Sequence, residues 1–299
     1  MKAETVVYVM EYLEHILVLI CIYSILAISL DLLAGHTGLL SVSHAAFYGL
    51  GAYASALLSV QFGASFPVGV LVGIGIASVG SLVVSLPSLR LQDDYFVIAT
   101  FGLQVIIFSI FNNWTSVTQG TAGIAGIPQP IILGWTVRSQ SAFLVVSAAF
   151  AGFAYLIVSR ISSSPFGRVL RAIREDEVLA KAFGKNTFRF KLTVFAVSAS
   201  LAAMAGSLYA HYVTFIDPTT FTVTESILVI SMVIIGGAGS RFGPVIGAVV
   251  LVTFPEILRF LGLPIPVAAN LRQMIYGSLL VVMMMFRPRG LVGKYGFGR

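Results

Sequence analysis

From Leu32 to Leu89 the chain runs 58 residues without one Asp, Glu, Lys or Arg. As a single α-helix that run would extend about 87 Å, nearly three times the ~30 Å hydrocarbon core of a bilayer, so it folds back at least once. Gln61–Pro67, with its Gly, Ser and Pro, is the natural turn. Composition agrees: of 299 residues 58% are hydrophobic and only 10% charged, with a mean hydropathy of +0.96. A soluble domain carries about 25% charged residues, so a water-soluble globule is excluded. At roughly 20 apolar residues per membrane helix, the chain holds about nine spans with short connections and leaves no room for a separate soluble catalytic domain. Its glycines let membrane helices approach closely. Cys21 is the sole cysteine, so there is no disulfide framework.

The expected spans are Ile16–Ala34, Leu39–Val60, Phe66–Pro87, Tyr95–Phe111, Ser141–Ser159, Leu192–Tyr212, Ser226–Gly239, Pro244–Leu261 and Met274–Phe286. Asn112–Pro130, rich in Asn, Thr, Gly and Pro, reads as a polar loop. Leu39–Val60 is dense in Ser, Gly and His and reads as re-entrant or broken, which a membrane tolerates only where protein or water covers the backbone. The fold class is therefore an all-α polytopic membrane protein of about 8–9 transmembrane helices, one domain over residues 1–299. Glu11, Glu14 and His15 precede the first apolar run, where a cleaved signal would carry positive charge.

Lys and Arg set the expected orientation. The loop 160–191 holds eight of the 18 basic residues, and the tail adds Arg287, Arg289, Lys294 and Arg299. With both segments cytoplasmic, parity places Arg90 and Arg241 there too, leaving only Lys2, Arg138, Arg259 and Arg272 outside. Nine spans put the N-terminus outside; eight with a re-entrant segment put it inside. Gly35–Gly38 and Gly236–Ser240 echo each other as turns after inward-running helices, a pattern of two parallel halves.

Catalytic signatures do not emerge. Gly184-Lys185 is followed by Asn186 and has Leu179 where a nucleotide loop needs its first glycine. His15, His36, His44 and His211 lack ligand spacing, so no metal site is expected, and no cofactor. Ionisable groups within the spans are sparse, so energy for pumping would enter from elsewhere. The net charge of +6 belongs to membrane orientation, not to nucleic acid.

Two regions carry information. In the loop, Ser164 is an N-cap with Pro165 at the first helical position, and Phe166, Val169, Leu170, Ile173, Ala180 and Phe183 form an apolar stripe that Gly184 can close. Glu175-Asp176-Glu177 interrupts it, and Arg171 and Arg174 flank it. Such a helix suits docking on a partner protein or lying on the anionic leaflet; the acidic cluster disfavours lipid. Within the spans, Ser41, Ser43 and His44 are the most polar cluster, fit either to line a hydrated path or to join helices by hydrogen bonds. Thr222 and Glu225 have the spacing of a capping box at the seventh span, with a substrate-ammonium role for Glu225 as the alternative. Glu256 next to Arg259 reads as a local ion pair.

Gly38-Leu39-Leu40-Ser41-Val42-Ser43-His44-Ala45-Ala46-Phe47-Tyr48-Gly49-Leu50-Gly51-Ala52-Tyr53 resembles the second-segment motif of branched-chain amino acid ABC importer permeases, the LivH/LivM family. Arg90-Leu91 with Asp94-Tyr95-Phe96, then Asn112-Asn113-Trp114-Thr115, is similar to the LivM branch, as is the coupling loop from Gly167-Arg168 to Glu177. Gly236-Gly237, Gly239-Ser240 and Gly243-Pro244 complete the series in the family's order. Asp31 stands where Asn is more usual, His36 where Tyr is common, and Ser43 and Gln119 where Gly is expected. The resemblance implies an inner-membrane permease subunit of a bacterial or archaeal importer for branched-chain amino acids, itself not an enzyme. It implies a second homologous permease, two cytoplasmic ATPase subunits holding ATP and Mg, and an extracytoplasmic binding protein. Ser41, Ser43, His44, Phe47 and Glu225 are then candidates for the substrate path. Leu170, Arg171, Ile173, Arg174, Glu175, Asp176, Ala180 and Gly184 are candidates for ATPase coupling, with the C-terminus cytoplasmic. A urea or short-chain amide importer shares this pattern; a stand-alone ion-coupled carrier or channel is the reading from another class.

Overall fold

The structure, a computed structural model, describes residues 2–89, 93–132, 135–259, 265–287 and 289–293. Among the described residues there are twelve α-helices: α1 (Lys2–Thr37), α2 (His44–Phe62), α3 (Phe66–Ser88), α4 (Asp93–Asn113), the short α5 (Thr115–Thr118), α6 (Gln140–Ser163), α7 (Pro165–Glu175), α8 (Glu177–Ala182), α9 (Thr187–Val213), α10 (Val223–Gly236), α11 (Gly243–Arg259) and α12 (Ile265–Phe286). Six of them, α1, α2, α3, α4, α6 and α9, are long and apolar enough to cross a membrane; α10, α11 and α12 contain shorter apolar stretches. Each expected span overlaps one of these nine helices, although residues 39–43 and 237–239 are not helical and residues 260–261 lie outside the described residues. Arg90, Lys294 and Arg299, part of the charge argument, lie outside the described residues.

Helix α1 is apolar on all sides and is the axis of the bundle: Val18, Ile22, Ile25, Leu26, Leu30, Leu32 and Leu33 are fully buried. It packs on α6, α9, α10 and α11, while α9 packs on α2 and α3. Small residues permit these approaches. A Cβ on Gly51 of α2 would overlap the Ala203 carbonyl of α9, and one on Gly206 of α9 would overlap the Tyr48 carbonyl of α2. The faces of α3 and α4 that carry Leu71, Val79, Val83, Ile98 and Ile106 stay exposed, as lipid- or partner-facing surfaces do.

At one end of the bundle α7 sits beside the C-terminus of α1, which adjoins the turn between α10 and α11, and α8 packs on α7 and α9. The opposite end carries the polar loop, which folds as α5 and two short antiparallel ladders: β1 (Ile124–Ala125) with β4 (Phe215–Ile216), and β2 (Ile131–Ile132) with β3 (Trp135–Thr136). In that loop Gln119 holds φ at 60°, the left-handed region where glycine is the least strained choice.

Two segments depart from continuous helix. Gly38–Ser43 is non-helical and enters the bundle, so that α2 begins at the depth of Ser29, roughly 12 Å from the end of α1. The second segment is thus broken, as its polar density implied. Likewise the chain re-enters after α9 through a 3-10 turn, Pro218–Phe221, and α10 begins inside the bundle beside α2.

Candidate functional site

The two interior helix starts meet. Helix α2 opens with N–H groups that have no partner in their own helix. The Ala45 N–H donates to Ser226 Oγ of α10 at 2.9 Å, and the Ala46 N–H to Gln104 Oε1 of α4 at 2.7 Å. Gln104 is fully buried; its Nε2 donates to the Phe221 carbonyl at 2.8 Å, and its Oε1 lies 3.2 Å from the Ser226 hydroxyl. Thr100, one turn earlier on α4, accepts from the Val42 N–H at 3.1 Å. One amide side chain therefore ties α4, α2, α10 and the 3-10 turn together.

The candidate path residues surround this knot. Ser41 and Ser43 pair at 3.0 Å, both fully buried. Ser29 donates its only hydroxyl proton to the Leu26 carbonyl, so at 2.7 Å it accepts from His44 Nε2, which fixes that tautomer. Phe47 sits edge-on to Phe195 with centroids 5.6 Å apart. These four side chains are at most 2% exposed and meet partners within the chain, so they hold the broken backbone in place. Glu225 stands apart. Thr222 makes no side-chain cap, so the expected capping box does not form. Instead Tyr23 of α1 donates its hydroxyl to Glu225 Oε1 at 2.6 Å. The local helix end is served by backbone bonds to the Thr222 carbonyl, which frees the carboxylate for the interhelical contact.

Beside Glu225 lies an aromatic group that sequence reasoning missed. The hydroxyls of Tyr23, Tyr48 and Tyr209 lie within electrostatic reach of Glu225. Tyr48 packs 5.5 Å from Tyr209 and 5.2 Å from Phe221, and Tyr53 stacks on Phe111 at 4.4 Å. Among the described residues the buried hydroxyls of Tyr48 and Tyr53 have no hydrogen-bond partner. A carboxylate, aromatic faces and unmet hydroxyls at an interior helix start can receive an ammonium or another donor. Thr100 and Gln104, four residues apart on one face of an apolar span, were the available signal for the knot; nothing in spacing marked the tyrosines.

The coupling segment is two helices rather than one. Ser164 caps α7, accepting from the Gly167 N–H at 3.3 Å, with Pro165 in the first turn. Asp176 then adopts an extended conformation and caps α8, its Oδ1 accepting from the Leu179 N–H at 2.9 Å. Aspartate favours a cap over a helix interior, and this preference overrides the continuous apolar stripe. Leu170, Ile173 and Ala180 are buried against the chain's own bundle. Arg171 donates to the Ser162 carbonyl at 2.7 Å, and Arg174 donates to the Gly35 carbonyl at the end of α1. Glu175 and Asp176 are exposed, and Gly184 turns the chain at φ 75°. The apolar groups that face outward are Val178, Leu179 and Phe183, the first and last about three-quarters exposed.

Glu177 anchors α8 to α9. It accepts from Lys191 Nζ at 2.5 Å, Thr187 Oγ1 at 2.8 Å and Lys181 Nζ at 3.0 Å. Burial alone would lift its carboxyl, but these donors outweigh that and hold it at about 2. A second tie links the ends: Asp31 Oδ1 of α1 accepts from the Gly239 N–H in the α10–α11 turn at 2.7 Å. Glu256 accepts from Tyr12; the Arg259 side chain, its expected partner, lies outside the described residues.

Among the described residues, a bundle of nine apolar helices with two interior helix starts and a rooted amphipathic helix pair at one end is the architecture of a membrane permease. Residues 12–284 match the family described as branched-chain amino acid transport system, permease component, and the chain belongs to that family. It is 32% identical to the high-affinity branched-chain amino acid transport system permease protein LivM of Escherichia coli, over 91% of this chain and 68% of that one. It is 31% identical to a probable LivM of Methanocaldococcus jannaschii, over 74% and 70%. To the permease protein LivH of Salmonella typhimurium it is 24% identical over 98% of both.

Proposed function

We propose that this chain is a permease subunit of an ABC importer that moves branched-chain amino acids inward by alternating access, powered by ATP hydrolysis in partner subunits. The observation that carries the substrate class is the identity with LivM proteins across nine-tenths of the chain. Likeness to LivH along the whole length supports a homologous second permease as partner. The α7–α8 end is the cytoplasmic one, on the strength of its basic residues. Capture of the solute outside the membrane belongs largely to a separate extracytoplasmic protein, and two ATPase subunits hold ATP and Mg.

The contacts support a route for the stroke. Val178, Leu179 and Phe183 offer an apolar face to an ATPase groove, and exposed Glu175 sets register by charge. Arg174 and buried Leu170 and Ile173 carry displacement into the end of α1. From there Asp31 holds the α10–α11 turn, and α10 leads to Glu225, Ser226 and the knot at Gln104. Each link is a packed or hydrogen-bonded contact, so α7 does not move without α1 and α10 following.

The test is assembly and substrate-stimulated ATP hydrolysis of the reconstituted complex carrying Val178→Asp/Phe183→Asp, with Glu175→Lys in parallel. The expected result is at least a tenfold loss of stimulated hydrolysis or of co-purified ATPase subunit, with the permease itself still monodisperse. Asp176 is left untouched because it caps α8. Unchanged assembly and unchanged stimulation in both variants would remove the coupling assignment.

A further inference from the structure

At the α7 end a cavity of about 650 Å³ opens between α1, α6, α7 and the α10–α11 turn, away from the knot and from the exposed face of α8. Its size falls within the ~300–1,000 Å³ of small-ligand pockets. Charge is divided across it. Asp31, 2% exposed, lies at the floor, its Oδ1 held by the Gly239 N–H and its Oδ2 3.9 Å from His36 Nδ1. Arg171 and Arg241 line the same cavity, and among the described residues neither has an acidic partner. Ile28 and Val158 give it an apolar wall, and Phe242 stacks on Tyr155 at 5.4 Å to form one side.

A cavity serving only as an anchor for anionic lipid has no use for a carboxylate at its floor, which repels phosphate. One serving only a cation has no use for two guanidinium groups. Acid, bases and an apolar wall together match a zwitterion with an ammonium, an anionic group and an apolar body. We propose that this cavity binds a primary-ammonium zwitterion: the ammonium at Asp31, the anionic group at Arg171 and Arg241, the apolar part against Ile28, Val158 and Phe242. A free branched-chain amino acid has this chemistry, and so does the headgroup of phosphatidylethanolamine. The amino-acid source rests on the transport reading above and makes the cavity a product site, where accumulated solute would wedge between α7 and the α10–α11 turn and slow further cycles. Arg171 ties α7 to α6 and Asp31 ties α1 to the α10–α11 turn, so a ligand held by both would bear on the Asp31 step of the coupling route.

The test uses the assembled complex, without binding protein, in phosphatidylcholine nanodiscs, with L-leucine as the probe. Saturable binding is expected, weakened at least tenfold by Asp31→Asn and by Arg241→Gln. In Asp31→Asn the side-chain amide oxygen still accepts from the Gly239 N–H, and Arg241 is exposed, so both variants should fold; monodispersity of the purified complex is read as the check. In a second arm the complex is purified from membranes containing phosphatidylethanolamine and its retained lipid counted by mass spectrometry. Retention of that lipid lost in both variants assigns the site to the headgroup; leucine binding lost in both assigns it to the free amino acid. Binding that is absent in both arms, or indifferent to both substitutions, overturns the proposal. ATP-driven uptake is measured on the same preparation with loaded binding protein. A failed site then shows as wild-type uptake without Asp31- and Arg241-dependent binding, whereas a failed transport reading shows as absent uptake.

Discussion

Replacing Gln104 with Leu removes the side chain that joins four elements at mid-bundle while keeping its approximate volume. Three contacts go: acceptance from the Ala46 N–H at 2.7 Å, donation to the Phe221 carbonyl at 2.8 Å, and the Ser226 contact at 3.2 Å. Hydrogen bonds inside membrane proteins average about 0.6 kcal/mol, so three come to about 2 kcal/mol. The Phe221 carbonyl, on a fully buried residue, also loses a donor that no water replaces, at a cost of about 1–3 kcal/mol. Ala46 keeps a backbone bond to the Ser43 carbonyl at 3.1 Å, which limits the damage at the α2 start. The sum is about 3–5 kcal/mol. By the scaling of soluble chains this lowers the midpoint of thermal unfolding by roughly 5–10 °C. Thr100→Val removes the Val42 bond and the hydroxyl's own bond to the Val97 carbonyl within α4, and is expected to shift it by about 1–3 °C. The assay is the fraction of detergent-purified permease remaining monodisperse after heating. A Gln104→Leu midpoint within about 1 °C of wild type would refute the claim that this amide holds the two interior helix starts together.

Gly51→Ala and Gly206→Ala each force a methyl into a facing backbone carbonyl and should cost at least about 1–3 kcal/mol, seen as lost folded yield, whereas Gly102→Ala and Gly152→Ala meet open space and should leave yield unchanged. Glu177, held at about 2 against an ordinary 4.5, stabilises the α8–α9 junction fully above about pH 4.5 and loses that contribution as pH falls toward 2. Hydrogen exchange over residues 177–191, corrected for intrinsic rate, should therefore rise as pH is lowered through that window in wild type and be raised already at about pH 7 in Glu177→Gln. In a Cys21→Ser background, a cysteine at position 181 should react only with reagents admitted to the cytoplasm and one at position 114 from outside; labelling of position 181 in intact cells would invert the orientation.

The spans were legible because apolar length is what a bilayer demands, and each of the nine runs contains a helix. The break before His44 was legible for the complementary reason: Ser41, Ser43 and His44 cannot sit in an apolar helix without partners. Three features were not. The split at Asp176 depended on a cap competing with an apolar stripe, two local signals of similar size. Glu225 had the spacing of a capping box, and only the proximity of Tyr23, 202 residues away, redirected it. The tyrosines around it come from α1, α2 and α9, so no window along the chain contains them. The departures from family pattern were informative in one place: Gln119 occupies a left-handed conformation, the physical reason for glycine there.

The most direct measurement is ATP-driven uptake of radiolabelled L-leucine into proteoliposomes that hold this chain with its partner permease and ATPase subunits, with binding protein added on the outside. The account predicts saturable accumulation against the gradient that needs ATP, the binding protein and the α8 face carrying Val178 and Phe183. Accumulation of urea or a short-chain amide without leucine, or gradient-driven leucine flux through this chain alone without ATP, would contradict it.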